Sequence, residues 1–390
     1  MNIELDEQAA PLPAPVPGPV RGGAWRVTWH GVRTVARLEL RQRIRSTRWI
    51  VALVVWFVVV GGITLLTTGA LSGLWGGGTS PNRGPVLFSV VSLLVLGLGL
   101  LVTPTLTSTS INGDRNAGTL ATLQVTLLSP AEIVLGKLAA AWVAACAFLL
   151  ASVPFFLLAL GLGGTPVRAG AAVLVLIAVL LAALCGIGVG LSSLTTRTAG
   201  STVLTFVVVA GLAVFTPILF GLTYPSVTSE ATVQVWMETP VAGSDQSTCS
   251  WQTQTRSVAH TERTWWLLAV NPFVVVADGS TVPGADERYQ TAAPFAALRQ
   301  AVRNVRQGAA QPIDECWLPI AVLQTAPEAA PSSTGQLGSV AAPASTVQST
   351  APIWPWGLGF TLLLGAAGVA IAIRRLSIPQ RKLPRGTRIA

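Results

Sequence analysis

Apolar residues gather in six stretches along the chain, near Trp49–Gly69, Val86–Ser108, Leu138–Leu160, Ala171–Leu194, Thr202–Leu222 and Ile353–Ile373, and none holds a charged side chain. Runs of ~20 such residues cross a ~30 Å hydrocarbon core as helices. The pattern therefore predicts an all-α membrane protein with six transmembrane helices. The polar interruptions divide it into four parts. Residues 1–22, acidic and then Pro-rich, are expected to form a disordered cytoplasmic tail, and 23–222 to hold an interfacial helix and spans one to five. Residues 223–352 form a large external segment between spans five and six, and 353–390 give the sixth span and a basic cytoplasmic tail.

Shorter periodicities mark smaller pieces. Ahead of span one, Trp25, Trp29, Val32, Val35 or Ala36, and Leu40 recur at helical spacing with arginines on much of the remainder. The spacing predicts a helix lying on the inner membrane surface, although a plain basic flank fits the same composition. Outside, the stretch Thr264–Asp278 is too short to span and is interrupted by Asn271-Pro272, so it is expected to dip into the outer interface, anchored by Trp265 and Trp266. Phe295, Leu298, Val302 and Val305 fall on one stripe, which predicts a surface helix. Within span four, Gly186 and Gly190 predict close helix packing, and Pro104, Pro154 and Pro217 are expected to kink their spans.

Composition agrees with a membrane protein: 51% of residues are hydrophobic, 11% are charged, and the mean hydropathy is +0.61. The net charge of +9 is unevenly spread, since 17 of the 25 Lys and Arg fall on the side that holds both termini. By the positive-inside bias both termini are cytoplasmic, in a multi-pass protein of the cell (plasma) membrane, and the charge needs no nucleic acid partner. Membrane lipid is the expected surrounding partner. Among four cysteines, Cys249 and Cys316 share the external segment and are expected to form a disulfide, while Cys146 and Cys185 sit in apolar spans as small hydrophobes. The only histidines are His30 and His260, and there is no Cys-x-x-Cys, so no metal site and no Ser/His/Asp constellation is expected. Uncharged spans also disfavour a proton relay.

The stretch INGDRNAGTLATLQVTLLSPAEIVLGK, Ile111–Lys137, ends like a phosphate-binding loop. Such a loop needs Gly, four residues, then Gly-Lys and Ser or Thr. Ala131 stands in place of the first Gly and Leu138 follows Lys137, so the chain has no phosphate loop here. Instead, Ser129, Pro130 and Glu132 read as the N-cap, first position and third position of a helix start. Lys137 then lies two turns in, where a lysine can snorkel to the headgroups. Upstream, Asn112-Gly113 and Ala117-Gly118 break the second span's helix. Thr119, Leu120, Leu123, Leu127 and Leu128 would form a short amphipathic piece that packs against the membrane face or into a partner's groove. A solvated re-entry loop fits the periodicity equally.

These residues resemble the type-2 permease subunits of ABC transporters. That family carries, between spans two and three, a pattern like Glu-Arg, a short gap, Gly-Thr-Leu-Glu, Leu-Leu, Thr-Pro-Leu-Ser, two residues, Glu-Ile, two residues, Gly-Lys. Here Asp114-Arg115, Gly118-Thr119-Leu120, Leu127-Leu128-Ser129, Glu132-Ile133 and Gly136-Lys137 stand in the same order. Asp114 replaces the usual Glu, and Ala121 stands where the family often has Glu. The resemblance extends to LELRQRIRSTRW, LSSLTTRT, NPFVVVAD and the basic C-terminus, which look like permeases of actinobacterial type. It implies a half-transporter that pairs with a second permease chain, as homo- or heterodimer, and with separate ABC ATPase subunits. It also implies a cytoplasmic coupling helix seated in the ATPase through Asp114, Arg115, Gly118, Thr119 and Leu120. ATP and Mg would then bind the partner, leaving this chain without a cofactor or catalytic residue of its own. The implied activity is export of a hydrophobic or amphiphilic substrate. A secondary, ion-coupled transporter and a non-transporting membrane scaffold with an external domain are the alternatives.

Overall fold

A computed structural model describes residues 23–74, 83–119, 128–240, 247–280, 293–308, 313–314 and 351–377. Helix α1 (Trp29–Ile44) leads directly into α2 (Thr47–Leu74), and α3 (Arg83–Thr107) is followed by the single turn α4 (Asn112–Asn116). Then come α5 (Pro130–Gly161) and α6 (Val167–Leu194). The fifth span is α7 (Thr198–Ala210), a π turn at Gly211–Phe215, and α8 (Thr216–Thr223). After the long segment that follows span five, α12 (Trp354–Ser377) closes the bundle. Six of these helical runs are long and apolar enough to cross a membrane, at the positions the hydrophobic pattern predicts.

Span four is the most enclosed helix and spans one and five the least. Leu87, Val91, Leu96, Phe156, Ile177, Leu180 and Leu184 are buried in the shared core of α3, α5 and α6. Because lipid is as apolar as these side chains, close backbone approach has to hold the bundle. Gly186 and Gly190 do pack closely, and their counterparts are Gly365 and Gly368 on α12: a Cβ on Gly190 would stand 2.5 Å from the Gly368 Cα. Pro104 and Pro154 sit inside continuous helices. In span five the irregularity is the π turn, with Pro217 in the first turn of α8 immediately after it.

The segment between spans five and six holds more structure than its periodicity suggests. β1 (Thr228–Pro240) and β2 (Ser247–Ala259) form a long antiparallel hairpin with Thr228 opposite Ala259 and Trp236 opposite Trp251. β3 (Ile313–Asp314) adds in parallel to the free edge of β1, giving the order β2-β1-β3. β1 carries a readable alternation, with Ala231, Val233, Val235 and Met237 on one face, but β2 is mostly Thr, Gln and Ser and offers no matching stripe to pair with it. Next, α9 (Trp266–Ala269) and α10 (Pro272–Gly279) replace the expected interfacial dip. Val274, Val275, Val276 and Ala277 are buried against the spans and α11 (Pro294–Gln307), rather than turned to lipid. Phe295 and Val302 of the expected stripe on α11 are buried too.

Candidate functional site

At the end of the bundle that gathers α1, α4, the start of α5, the end of α6 and the end of α12, Ile111, Ile133, Val134, Val189, Ala372 and Ile373 share a second apolar core. Polar groups above it define the site. The predicted helix start is present in full. The Ser129 hydroxyl accepts from the Glu132 N–H at 3.1 Å, and the Glu132 carboxylate accepts from the Ser129 N–H at 2.8 Å, with Pro130 in the first turn. The same carboxylate, 4% exposed, also accepts from the Thr28 N–H at 2.8 Å and the Thr28 hydroxyl at 2.5 Å. Thr28 is itself the N-cap of α1, accepting from the Gly31 N–H. The Ser129 hydroxyl donates to the Arg26 carbonyl and the Ala131 N–H to the Ala24 carbonyl. One glutamate thus ends two helices and fastens them together, which requires a partner about a hundred residues away that local spacing does not reveal.

Lys137 departs from the snorkelling expectation. Its side chain is 2% exposed and lies between two carboxylates, bonding Glu39 of α1 and standing 2.5 Å from the Asp114 Oδ2 of α4. An ammonium removed from water needs such pairing. Nearby, Arg43 of α1 donates to the Leu106 carbonyl at 2.9 Å. Desolvation lowers the Arg43 pKa, and the neighbouring Glu39 carboxylate works against that shift. The turn between spans two and three is also tied to the end of span four. The Ile111 and Asn112 N–H groups donate to the Ser192 hydroxyl at 3.1 and 3.3 Å, and the Asn112 amide donates to the Thr195 hydroxyl at 3.2 Å.

Of the expected coupling residues, Asp114 turns inward onto Lys137, Arg115 is half-buried, and Gly118 and Thr119 are at the surface. Gly118 adopts φ +75°, a left-handed turn suited to glycine. Leu120, with Leu123 and Leu127 of the amphipathic piece, lies outside the described residues, as does Cys316. Cys249 stands on β2 opposite Glu238, and β1 separates β2 from β3, which ends two residues before Cys316.

The opposite end of the bundle is fastened in a similar way. Asp278, 1% exposed at the end of α10, accepts from the Arg303 Nε at 2.8 Å and from the Ile353 and Trp354 N–H groups at 2.6 and 2.9 Å, so it caps the sixth span. Asn271 caps α10 through Phe273 N–H and donates to the Ala213 carbonyl in the π turn at 2.9 Å and to the Thr216 hydroxyl at 3.0 Å. A serine–histidine–carboxylate chain is present after all: His260 Nε2 is 3.1 Å from the Ser229 hydroxyl and its Nδ1 is 2.9 Å from the Glu262 Oε1. With His260 31% and Glu262 39% exposed, this chain lacks the desolvation that strengthens a catalytic relay. It clasps the first residues of β1 to the turn after β2.

Residues 33–330, from the first turns of α1 through the whole sheet, match the family model described as ABC-2 family transporter protein. The chain belongs to the ABC-2 transporter family. No curated protein matches it. Its six apolar helices fit an ABC-2 permease, a multi-pass membrane protein. In this ABC-2 protein the order of the residues from Asp114 to Lys137 has a geometric sense: Ser129 and Glu132 fix the start of span three, and Asp114 and Lys137 join the two ends of the segment they bracket.

Proposed function

We propose that the protein is the membrane-spanning subunit of an ATP-driven exporter, with ATP and Mg bound and hydrolysed by separate ABC ATPase subunits docked on the segment between spans two and three. The observation that carries this reading is the pinning of that segment. Ser192 and Lys137 hold its inner side while Asn116, Ala117, Gly118 and Thr119 remain exposed beside Arg115. A rigidly held surface turn can pass a push from a bound partner to spans two, three and four together. The excess of Lys and Arg puts this end in the cytoplasm and the sheet outside, in the plasma membrane. Spans one and five, whose exposed Val, Leu and Phe side chains face outward, suit contact with lipid and with a second permease chain. The apolar bundle suits a hydrophobic or amphiphilic substrate.

Arg115→Glu tests the docking role without disturbing the buried ion pairs. With a cognate ABC ATPase co-expressed, this variant should insert normally yet lose co-purification of the ATPase and ATP-dependent export. Unchanged association and transport at equal protein level would refute the assignment.

A further inference from the structure

All three acids described at the α1 end of the bundle point inward: Glu39 and Asp114 bond Lys137, and Glu132 bonds Thr28 and Ser129. Among the described residues, the outward surface there is left with cations alone. Arg33, Arg37, Arg41 and Arg45 follow each other at intervals of four residues, with Arg26 before them and Arg48 in the first turn of α2, and all six are exposed. None of the six makes an ion pair among the described residues. A step of four residues turns a helix by ~40° and rises ~6 Å, so the four arginines fan across one sector along most of α1. That sector lies away from Gly31, Val32 and Val35, which are buried against the start of α5, where a Cβ on Gly136 would meet the Val35 side chain.

This corrects the expected orientation of the helix. Val32 and Val35 were expected to face lipid but face protein, and the arginines are what α1 presents outward. Only Arg45 and Ser46 separate α1 from the first span, so the C-terminal end of the arginine row lies beside the start of that span. Trp25, 56% exposed, and Trp29, 77% exposed, flank it as interfacial anchors do. We propose that the outward face of α1 is a binding surface for the headgroups of anionic phospholipids, with each guanidinium fork set against a lipid phosphate. Arginine matches phosphate through paired N–H donors, and a row of four to eight basic residues beside a span has the charge density that attracts an anionic leaflet. An acidic protein surface is the other occupant such charge could attract. The immediate connection to the span, which puts the end of the row beside the start of that span, favours lipid. Because α1 is bonded to Glu132 and Lys137 behind this face, lipid bound there bears directly on the pinned segment between spans two and three.

The test uses the full-length chain alone, with no ATPase present, so it does not depend on the proposed transport reading. The protein is placed in phosphatidylcholine nanodiscs containing a small share of spin-labelled phosphatidylglycerol or spin-labelled phosphatidylcholine, and the motionally restricted fraction of each label is measured. Phosphatidylglycerol should be enriched around the wild type by on the order of tenfold, with the preference falling as salt is raised. The quadruple variant Arg33→Gln, Arg37→Gln, Arg41→Gln, Arg45→Gln should lose most of the preference. Arg168→Gln with Arg263→Gln, at the other end, should keep it and shows that folded protein rather than net charge is being read. Equal restriction of the two lipids by the wild type overturns the proposal. So does an undiminished preference in the quadruple variant, which would leave an acidic protein surface as the occupant of this face.

Discussion

Replacing Lys137 by Met keeps the length of the side chain and removes its charge. In the wild type the ammonium is 2% exposed and faces Glu39 and Asp114, whose side chains are 18% and 29% exposed. A pair of unit charges ~4 Å apart attracts by about 4 kcal/mol at an effective dielectric of ~20, and desolvating the ammonium offsets much of that. The net worth of the trio is therefore small, but its one-sided removal is not. Two carboxylates would be left side by side without a cation, and removing one partner of a fully buried pair costs about 3–5 kcal/mol. Water reaching the partly exposed carboxylates reduces this to ~2–3 kcal/mol. For a chain of this size, at roughly 1–2 °C per kcal/mol, that lowers the thermal midpoint by about 3–5 °C. The triple variant Glu39→Gln, Lys137→Met, Asp114→Asn leaves no stranded charge and should recover to within ~1 kcal/mol of wild type. Thermal unfolding of the purified chain in detergent, followed by tryptophan fluorescence, reads both. A snorkelling lysine would contribute only ~0–1 kcal/mol, so a Lys137→Met midpoint within ~1 °C of wild type refutes the buried-pair account, as would a triple variant no better than the single one.

Glu132→Ala removes a capping box and the bonds from Thr28 together, so its cost should exceed the ~1 kcal/mol of an ordinary cap and approach ~2–3 kcal/mol, with α1 becoming accessible to trypsin at its arginines. Gly190→Val should disrupt the contact with Gly368 and lower folded yield, whereas Gly62→Val, which meets no neighbour, should be tolerated; equal yields in detergent extracts would contradict the close approach. Cys249 and Cys316 should be found as one disulfide by mass spectrometry of non-reduced peptides; since β2 and β3 are two strands apart, ~9–10 Å, the bridge requires the chain to leave the sheet after Asp314. Two free thiols in protein made under oxidising conditions would end that expectation. Cysteines introduced at Thr119 and Thr232 should react with an impermeant thiol reagent from opposite sides of intact cells, and labelling of both from outside would overturn the orientation.

What could be read from the sequence was local. Six spans follow from uninterrupted apolar runs, and the Ser129–Glu132 cap from a spacing of three residues, because each needs only its own neighbourhood. The bonds that join α1 to span three could not be read that way. Glu39 and Lys137 are 98 residues apart, and Thr28 and Glu132 are 104 apart, so Lys137 looked like a membrane-edge lysine and Glu132 like a simple cap. Gly186 and Gly190 announced a packing face but not their partners on α12. The bond from Asp114 to Lys137 was out of reach for the same reason: a charge on a surface turn gives no sign of the buried cation behind it. The hairpin was missed although Ala231, Val233, Val235 and Met237 alternate along β1, because β2, mostly Thr, Gln and Ser, shows no second apolar stripe to pair with it.

The π turn of span five makes that helix one residue longer than its number of turns requires. Deleting a residue from Gly211–Phe215 would give α7 and α8 regular bonding through the membrane, and the isolated span would lose nothing by it. In the folded protein the same deletion would rotate Thr216–Thr223 by about 100° and shift it by ~1.5 Å relative to α7. The Ala213 carbonyl and Thr216 hydroxyl would then leave the reach of the Asn271 amide. The extra residue therefore acts as a phase shift between the inner and outer halves of one helix, letting each half keep the facing that its own neighbours demand.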